Sequence, residues 1–64
     1  MKNRLKEIRE EEGMTQEELS KKSTVSRTII SELENQKTDV ITNMTLEKIA
    51  EALNKKVTDI FFTD

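Results

Sequence analysis

The stretch TQEELSKKSTVSRTIISELENQ, residues 15–36, decides the fold. It opens on Thr15 with Glu18 three residues later, the spacing of a capping box. In that motif a hydroxyl and a carboxylate each satisfy a backbone N–H left unpaired by the first helical turn. Met14 and Leu19 flank the start in the positions of a hydrophobic staple, so a helix is predicted over about residues 15–23. After Ser23 and Thr24, Ser26 is placed to cap a further helix over about 26–35, again with a staple pair, Val25 and Ile30. Ile30 and Leu33 share one face of it, and Asn35 tolerates the left-handed conformation in which a helix often ends. Three or four linking residues are too few for a long antiparallel overlap. The two helices should therefore cross sharply, as a helix-turn-helix.

Outward from this pair, Leu5 and Ile8 share a face of a first helix over about residues 2–12, which Gly13 can end in the left-handed region. Thr42 is placed to cap a fourth helix whose Leu46, Ile49, Ala50 and Leu53 trace one apolar stripe. Thr58 is read as the cap of a short terminal turn, TDIFF, with Asp59 at its positive end. QKTDVI, residues 36–41, reads as a loop, and there is no internal repeat.

The composition agrees with an all-α chain: one Gly, no Pro, and 33% hydrophobic residues spread at helical spacing. Sixty-four residues make a single domain, 1–64, with a small core. The absence of Cys and His removes disulfides, thiolate or imidazole chemistry and zinc fingers, so no enzyme, cofactor or metal site is expected. No apolar run approaches the roughly 20 residues of a spanning helix, and the charged start MKNRLKEIREEEG is unlike a signal peptide. A soluble, cytoplasmic protein with no membrane partner is expected.

A net charge of −2 argues mildly against nucleic acid, but its distribution matters more. Residues 1–9 hold Lys2, Arg4, Lys6 and Arg9 against Glu7, and residues 20–37 hold Lys21, Lys22, Arg27 and Lys37 against Glu32 and Glu34. Acids gather in Glu10, Glu11 and Glu12, in Glu17 and Glu18, and in the last third. A basic face beside an acidic back is the expected result. A helix fits the major groove when its exposed face carries short polar or basic groups and a neighbouring helix aims its N-terminal amides at a phosphate. Thr15 and Gln16 begin the second helix, and Arg27, Thr28, Ser31 and Glu32 remain exposed on the third once Ile30 and Leu33 turn inward.

TQEELS, VSRTIISELEN and TLEKIAEAL, in that order, resemble the helix-turn-helix domains of the Cro and phage-repressor (XRE-like) family over nearly the whole chain. The resemblance implies a compact five-helix, lambda-repressor-like DNA-binding fold. It also implies that Gln16 holds a phosphate, that Arg27 and Thr28 meet base edges, and that Glu32 faces the groove one turn later. Ser26, Asn35 and Lys37 are implied contacts to backbone phosphates, and Arg9 and Glu34 match positions that pair between the first and third helices. Departures from the family pattern are Ser20 for Ala, Thr24 for Gly, Thr28 for Gln and Gln36 for Gly. Thr24 would be strained at positive φ, so a different local turn is expected there. Contacts borrowed for adenine do not transfer to Thr28, so the operator sequence is not implied.

Several residues have a plainer reading beside the functional one. Thr28, Ser31 and Glu32 are ordinary surface groups unless DNA lies against them, although a carboxylate can accept from cytosine N4. Ile29 either touches a thymine methyl or covers the edge of the core, with packing favoured. Lys21 with Lys22, and the three successive glutamates, read as solvated faces. Phe61 and Phe62 cannot both enter one small core. One should pack beneath the fourth helix, leaving the other for a dimer surface with Ile41 or Met44.

The function expected is a sequence-specific transcriptional regulator, a repressor, that binds a roughly palindromic double-stranded DNA operator as a homodimer, with no small-molecule effector evident. Two other classes stay open: the antitoxin of a toxin-antitoxin pair, and a protein-interaction module without DNA binding.

Overall fold

A computed structural model describes residues 2–38 and 41–62. The elements run β1 (Lys2–Asn3), α1 (Leu5–Glu11), α2 (Gln16–Ser23), α3 (Arg27–Glu34), α4 (Asn43–Ala52), α5 (Val57–Ile60) and β2 (Phe61–Phe62). This is the expected all-α domain with five helices, closed by one short antiparallel strand pair. Asp39 and Val40 of the expected loop lie outside the described residues.

The strand pair corrects the first helix, which begins at Leu5 rather than near residue 2. Lys2 lies opposite Phe62 and Asn3 opposite Phe61, which commits the N-terminal backbone to a distant partner. Asn3 then marks the helix start by accepting from the Leu5 N–H at 3.1 Å, and ties it to α3 by donating to the Leu33 carbonyl at 2.9 Å. The Thr58 cap is also corrected. The cap position is Lys56, two residues earlier, because the Asp59 carboxylate accepts from the Lys56 N–H at 3.0 Å and secures the turn from its third residue.

Leu5, Leu19, Ile30, Leu33, Ile49, Leu53 and Ile60 are sealed from solvent, one or more from every helix, and form the centre of the core. Val25 and Phe61 join them, while Met14, Ile41 and Val57 pack at the edge. Of the two staple pairs, Val25 and Ile30 are both buried, while Leu19 is buried and Met14 only partly so. At about 25 cal/mol per Å² of apolar surface, this burial is the main force holding α3 in place.

Three helices end in the same way. After α1, Gly13 (φ 70°) donates to the Glu10 carbonyl and Met14 to Arg9; after α3, Gln36 (φ 57°) donates to Leu33 and Lys37 to Glu32; after α4, Asn54 (φ 56°) donates to Glu51 and Lys55 to Ala50. These are Schellman pairs, which satisfy the last carbonyls at the cost of one left-handed residue. At the end of α3 that residue is Gln36 rather than Asn35, whose φ is −94°. The helical hydrogen bonding extends through Asn35, so the reversal falls one residue later than expected.

Candidate nucleic-acid interface

The candidate interface is built from the start of α2, the turn after it, and α3. Thr15 and Glu18 close the capping box in both directions, with Glu18 N–H to Thr15 Oγ1 at 3.0 Å and Thr15 N–H to Glu18 Oε1 at 2.9 Å. The Thr15 backbone N–H, followed by its hydroxyl, holds the Glu18 carboxyl below the usual carboxylate range. Gln16 is the first residue of the helix so anchored.

The turn departs from expectation: Thr24 does adopt the left-handed conformation, φ 60° and ψ 21°. Two side chains account for its tolerance. The Ser20 hydroxyl donates to the Val25 carbonyl at 2.6 Å, spanning the turn, and the Thr24 hydroxyl donates to the Ser23 carbonyl at 2.6 Å. The buried Ser23 hydroxyl accepts from the Val25 N–H at 3.2 Å. Hydroxyls thus stand where the resemblance implies Ala and Gly, and they bond the backbone across the turn.

Ser26 caps α3 by accepting from the Thr28 N–H at 3.1 Å, which leaves its own O–H free to donate. Gln16, Arg27, Thr28, Ser31, Glu32, Asn35 and Lys37 line one shallow surface cleft. Every sequence-predicted DNA contact except Ser26 therefore meets on one face, and Ser26 stands at the helix start beside it. Arg27 is exposed and engages no carboxylate among the described residues. A cation at the positive end of a helix does nothing for that helix, so local stability does not explain it. Asn35 Nδ2 donates to the Ser31 carbonyl at 2.8 Å and to the Ser31 hydroxyl at 3.4 Å, which orders its amide along the helix.

Ile29 is not a core residue: it is 37% exposed, because Ile30 and Leu33 already fill the inward face. Lys21 is solvated, reaching Glu17 only at 3.6 Å, and Glu10, Glu11 and Glu12 are exposed. Of the residues considered for a dimer surface, Phe61 packs into the core, Phe62 is 39% exposed, Met44 is 65% exposed, and Ile41 is half-buried. All four lie outside the cleft.

Behind the cleft, Arg9 Nε donates to Glu34 Oε2 at 2.7 Å and Nη2 to Oε1 at 3.0 Å, joining α1 to the end of α3. The hydrogen bond to Glu34 is the main reason the guanidinium is held still more firmly protonated than usual. Sequence reasoning missed that Gln16 Nε2 also donates to Glu34, at 3.1 Å. The only sequence signal for it is that residues 16 and 34 stand at the start of one predicted helix and the end of the next.

Two short helices, α2 and α3, joined by Thr24, Val25 and Ser26 and bringing Gln16, Arg27, Thr28, Ser31 and Glu32 to one cleft, have the make-up of a helix-turn-helix. The helix-turn-helix family model matches residues 5–60, from α1 through α5. Two proteins of Archaeoglobus fulgidus, each named an uncharacterized HTH-type transcriptional regulator, are 41% and 42% identical over 64 residues, covering all of this chain and 90% and 89% of the relatives. The chain belongs to the XRE-type helix-turn-helix family. Among the described residues no helix is long and apolar enough to cross a membrane.

Proposed function

We propose that this chain is a sequence-specific DNA-binding transcriptional regulator, a repressor that acts as a homodimer on a roughly palindromic operator. One observation carries the reading: the first side chain of α2 and the outward side chains of α3 share a single exposed cleft. A helix of this bore enters the major groove, where each base pair presents its own pattern of donors, acceptors and methyl groups. Arg27 and Thr28, in the first turn of α3, read base edges. Ser31 permits close approach, and Glu32 accepts from cytosine N4. Gln16, Ser26, Asn35 and Lys37 hold phosphates on either side and set the register.

A two-fold dimer places two copies of α3 about 34 Å apart, in successive turns of the groove, and makes the operator a near-palindrome. Met44 and Phe62, exposed outside the cleft, with Ile41 beside the core, supply its apolar contact. Repression follows from occupying promoter DNA that polymerase needs, in the cytoplasm, with no chemical step, cofactor or effector.

The test is a gel shift on the DNA upstream of the chain's own gene, over a range of salt. Affinity should fall as log K against log salt with a slope of about 0.9 per phosphate contacted. No retarded band at low salt sinks the proposal in favour of a protein-interaction module. A band that requires a basic partner protein favours the antitoxin.

A further inference from the structure

The Glu34 carboxylate accepts more hydrogen bonds than a helix-locking ion pair needs. Its side chain is 2% exposed and takes two hydrogen bonds from Arg9 and a third from Gln16 Nε2, at 3.1 Å. The same guanidinium reaches with Nη1 to the Met14 carbonyl at 2.7 Å, one residue before the Thr15 cap. One charge pair thus ties the end of α3 to the entry of α2 and to the first side chain of that helix.

An ionised carboxylate only accepts, so the Gln16 amide must present its nitrogen to Glu34. This fixes which way the amide faces and leaves one N–H for the cleft that Gln16 also lines. An untethered glutamine has three side-chain torsions to freeze when it meets a phosphate, which weakens binding. A lone carboxylate bonded to the Gln16 amide would also repel a phosphate held by that amide. The Arg9 guanidinium cancels that charge while leaving Glu34 free to hold the amide.

We propose that Glu34 is a positioning residue of the DNA interface: it holds the Gln16 amide in advance for a phosphate, so the buried Arg9–Glu34 pair sets DNA affinity as well as the fold. The inference rests on the DNA-binding reading above. Its test is a mutant cycle on one duplex selected from a random pool by the wild-type chain, using Gln16→Ala, the pair Arg9→Met with Glu34→Leu, and all three together.

Exchanging both members of a buried ion pair for apolar residues leaves no lone buried charge, so the pair variant is expected to fold. If circular dichroism shows that it does not, Glu34→Gln runs the same cycle. Its single carbonyl oxygen goes to the charged Arg9 in preference to the neutral Gln16. Gln16→Ala should weaken the wild type about three- to tenfold, the net worth of one hydrogen bond, and the pair variant, whose Gln16 must be frozen on binding, should lose about as much. In the pair background Gln16→Ala should then change nothing. A purely structural role for the pair predicts instead the same loss from Gln16→Ala in both backgrounds. That result on a recovered duplex, or undiminished binding by the pair variant, overturns this inference alone. A wild-type chain that recovers no duplex overturns the DNA-binding reading and this inference with it.

Discussion

Arg9 grips the Glu34 carboxylate through two hydrogen bonds, one to each oxygen, 2.7 Å from Nε and 3.0 Å from Nη2, between α1 and the end of α3. Their side chains are 10% and 2% exposed, so neither charge has water to fall back on. Arg9→Ala strands a buried carboxylate and should destabilise the domain by about 3 kcal/mol. In a domain this small the melting temperature should drop by more than about 10 °C. A drop of a degree or two in a thermal melt would mean that the pair is in effect solvated.

Thr24 stands at φ 60°, where an L-residue other than glycine is strained by about 1–2 kcal/mol. Thr24→Gly relieves that strain, loses a hydrogen bond to the adjacent Ser23 carbonyl, and adds about 0.5–1 kcal/mol of chain entropy to the unfolded state. The expected net effect is a small gain, about 0.5 kcal/mol, seen as a melt shifted up by a few degrees. A lower melting temperature would show that the hydroxyl outweighs the strain.

Glu18 is held below the usual carboxylate range by the Thr15 N–H and hydroxyl, and Glu7 by the Arg4 guanidinium. For a carboxyl with a depressed folded pKa, the unfolded chain takes up the proton first as pH falls. The stabilisation is therefore full above about pH 4.3 and is lost as pH drops through the lower folded value. Melting temperature should decline below that point, and Glu18→Gln should melt lower than wild type near neutrality yet converge with it in acid. Parallel curves down to about pH 2 would exclude the capping box as a source of stability.

Local signals made much of this structure legible. Thr15 with Glu18, Ser26, Thr42 and Gly13 all act within about one helical turn, and each sits where its spacing places it. What stayed hidden is non-local. Nothing near Lys2 announces that it will pair with Phe62, and the start of α1 moves for that reason. The last helix was misplaced because the accepting group is Asp59, three residues inside, while Lys56 has no side-chain acceptor to offer. On the interface, periodicity sorted Ile30 and Leu33 from Arg27, Thr28 and Ser31. It could not weigh Ile29, which has apolar chemistry but no room in a core already filled from α3.

The two C-terminal aromatics should separate cleanly. Phe61 is 5% exposed, so Phe61→Ser should cost about 3–5 kcal/mol and unfold much of the population. Phe62→Ser combined with Met44→Ser should leave the melt within a degree or two while shifting sedimentation from dimer to monomer. An unchanged dimer in a folded double variant would move the subunit contact away from these residues.

Arg27 bears on the central claim most directly. It is exposed, bonded to no carboxylate among the described residues, and set in the first turn of the helix proposed to enter the major groove. The decisive measurement is binding-site selection from random duplexes with the wild-type chain and with Arg27→Ala, thermal melts being run alongside. Wild type should recover a near-palindromic sequence. Arg27→Ala should melt normally and lose at least one base preference in each half-site, about 1–3 kcal/mol of discrimination. If Arg27→Ala recovers the same sequence with the same affinity, α3 does not read DNA through this face.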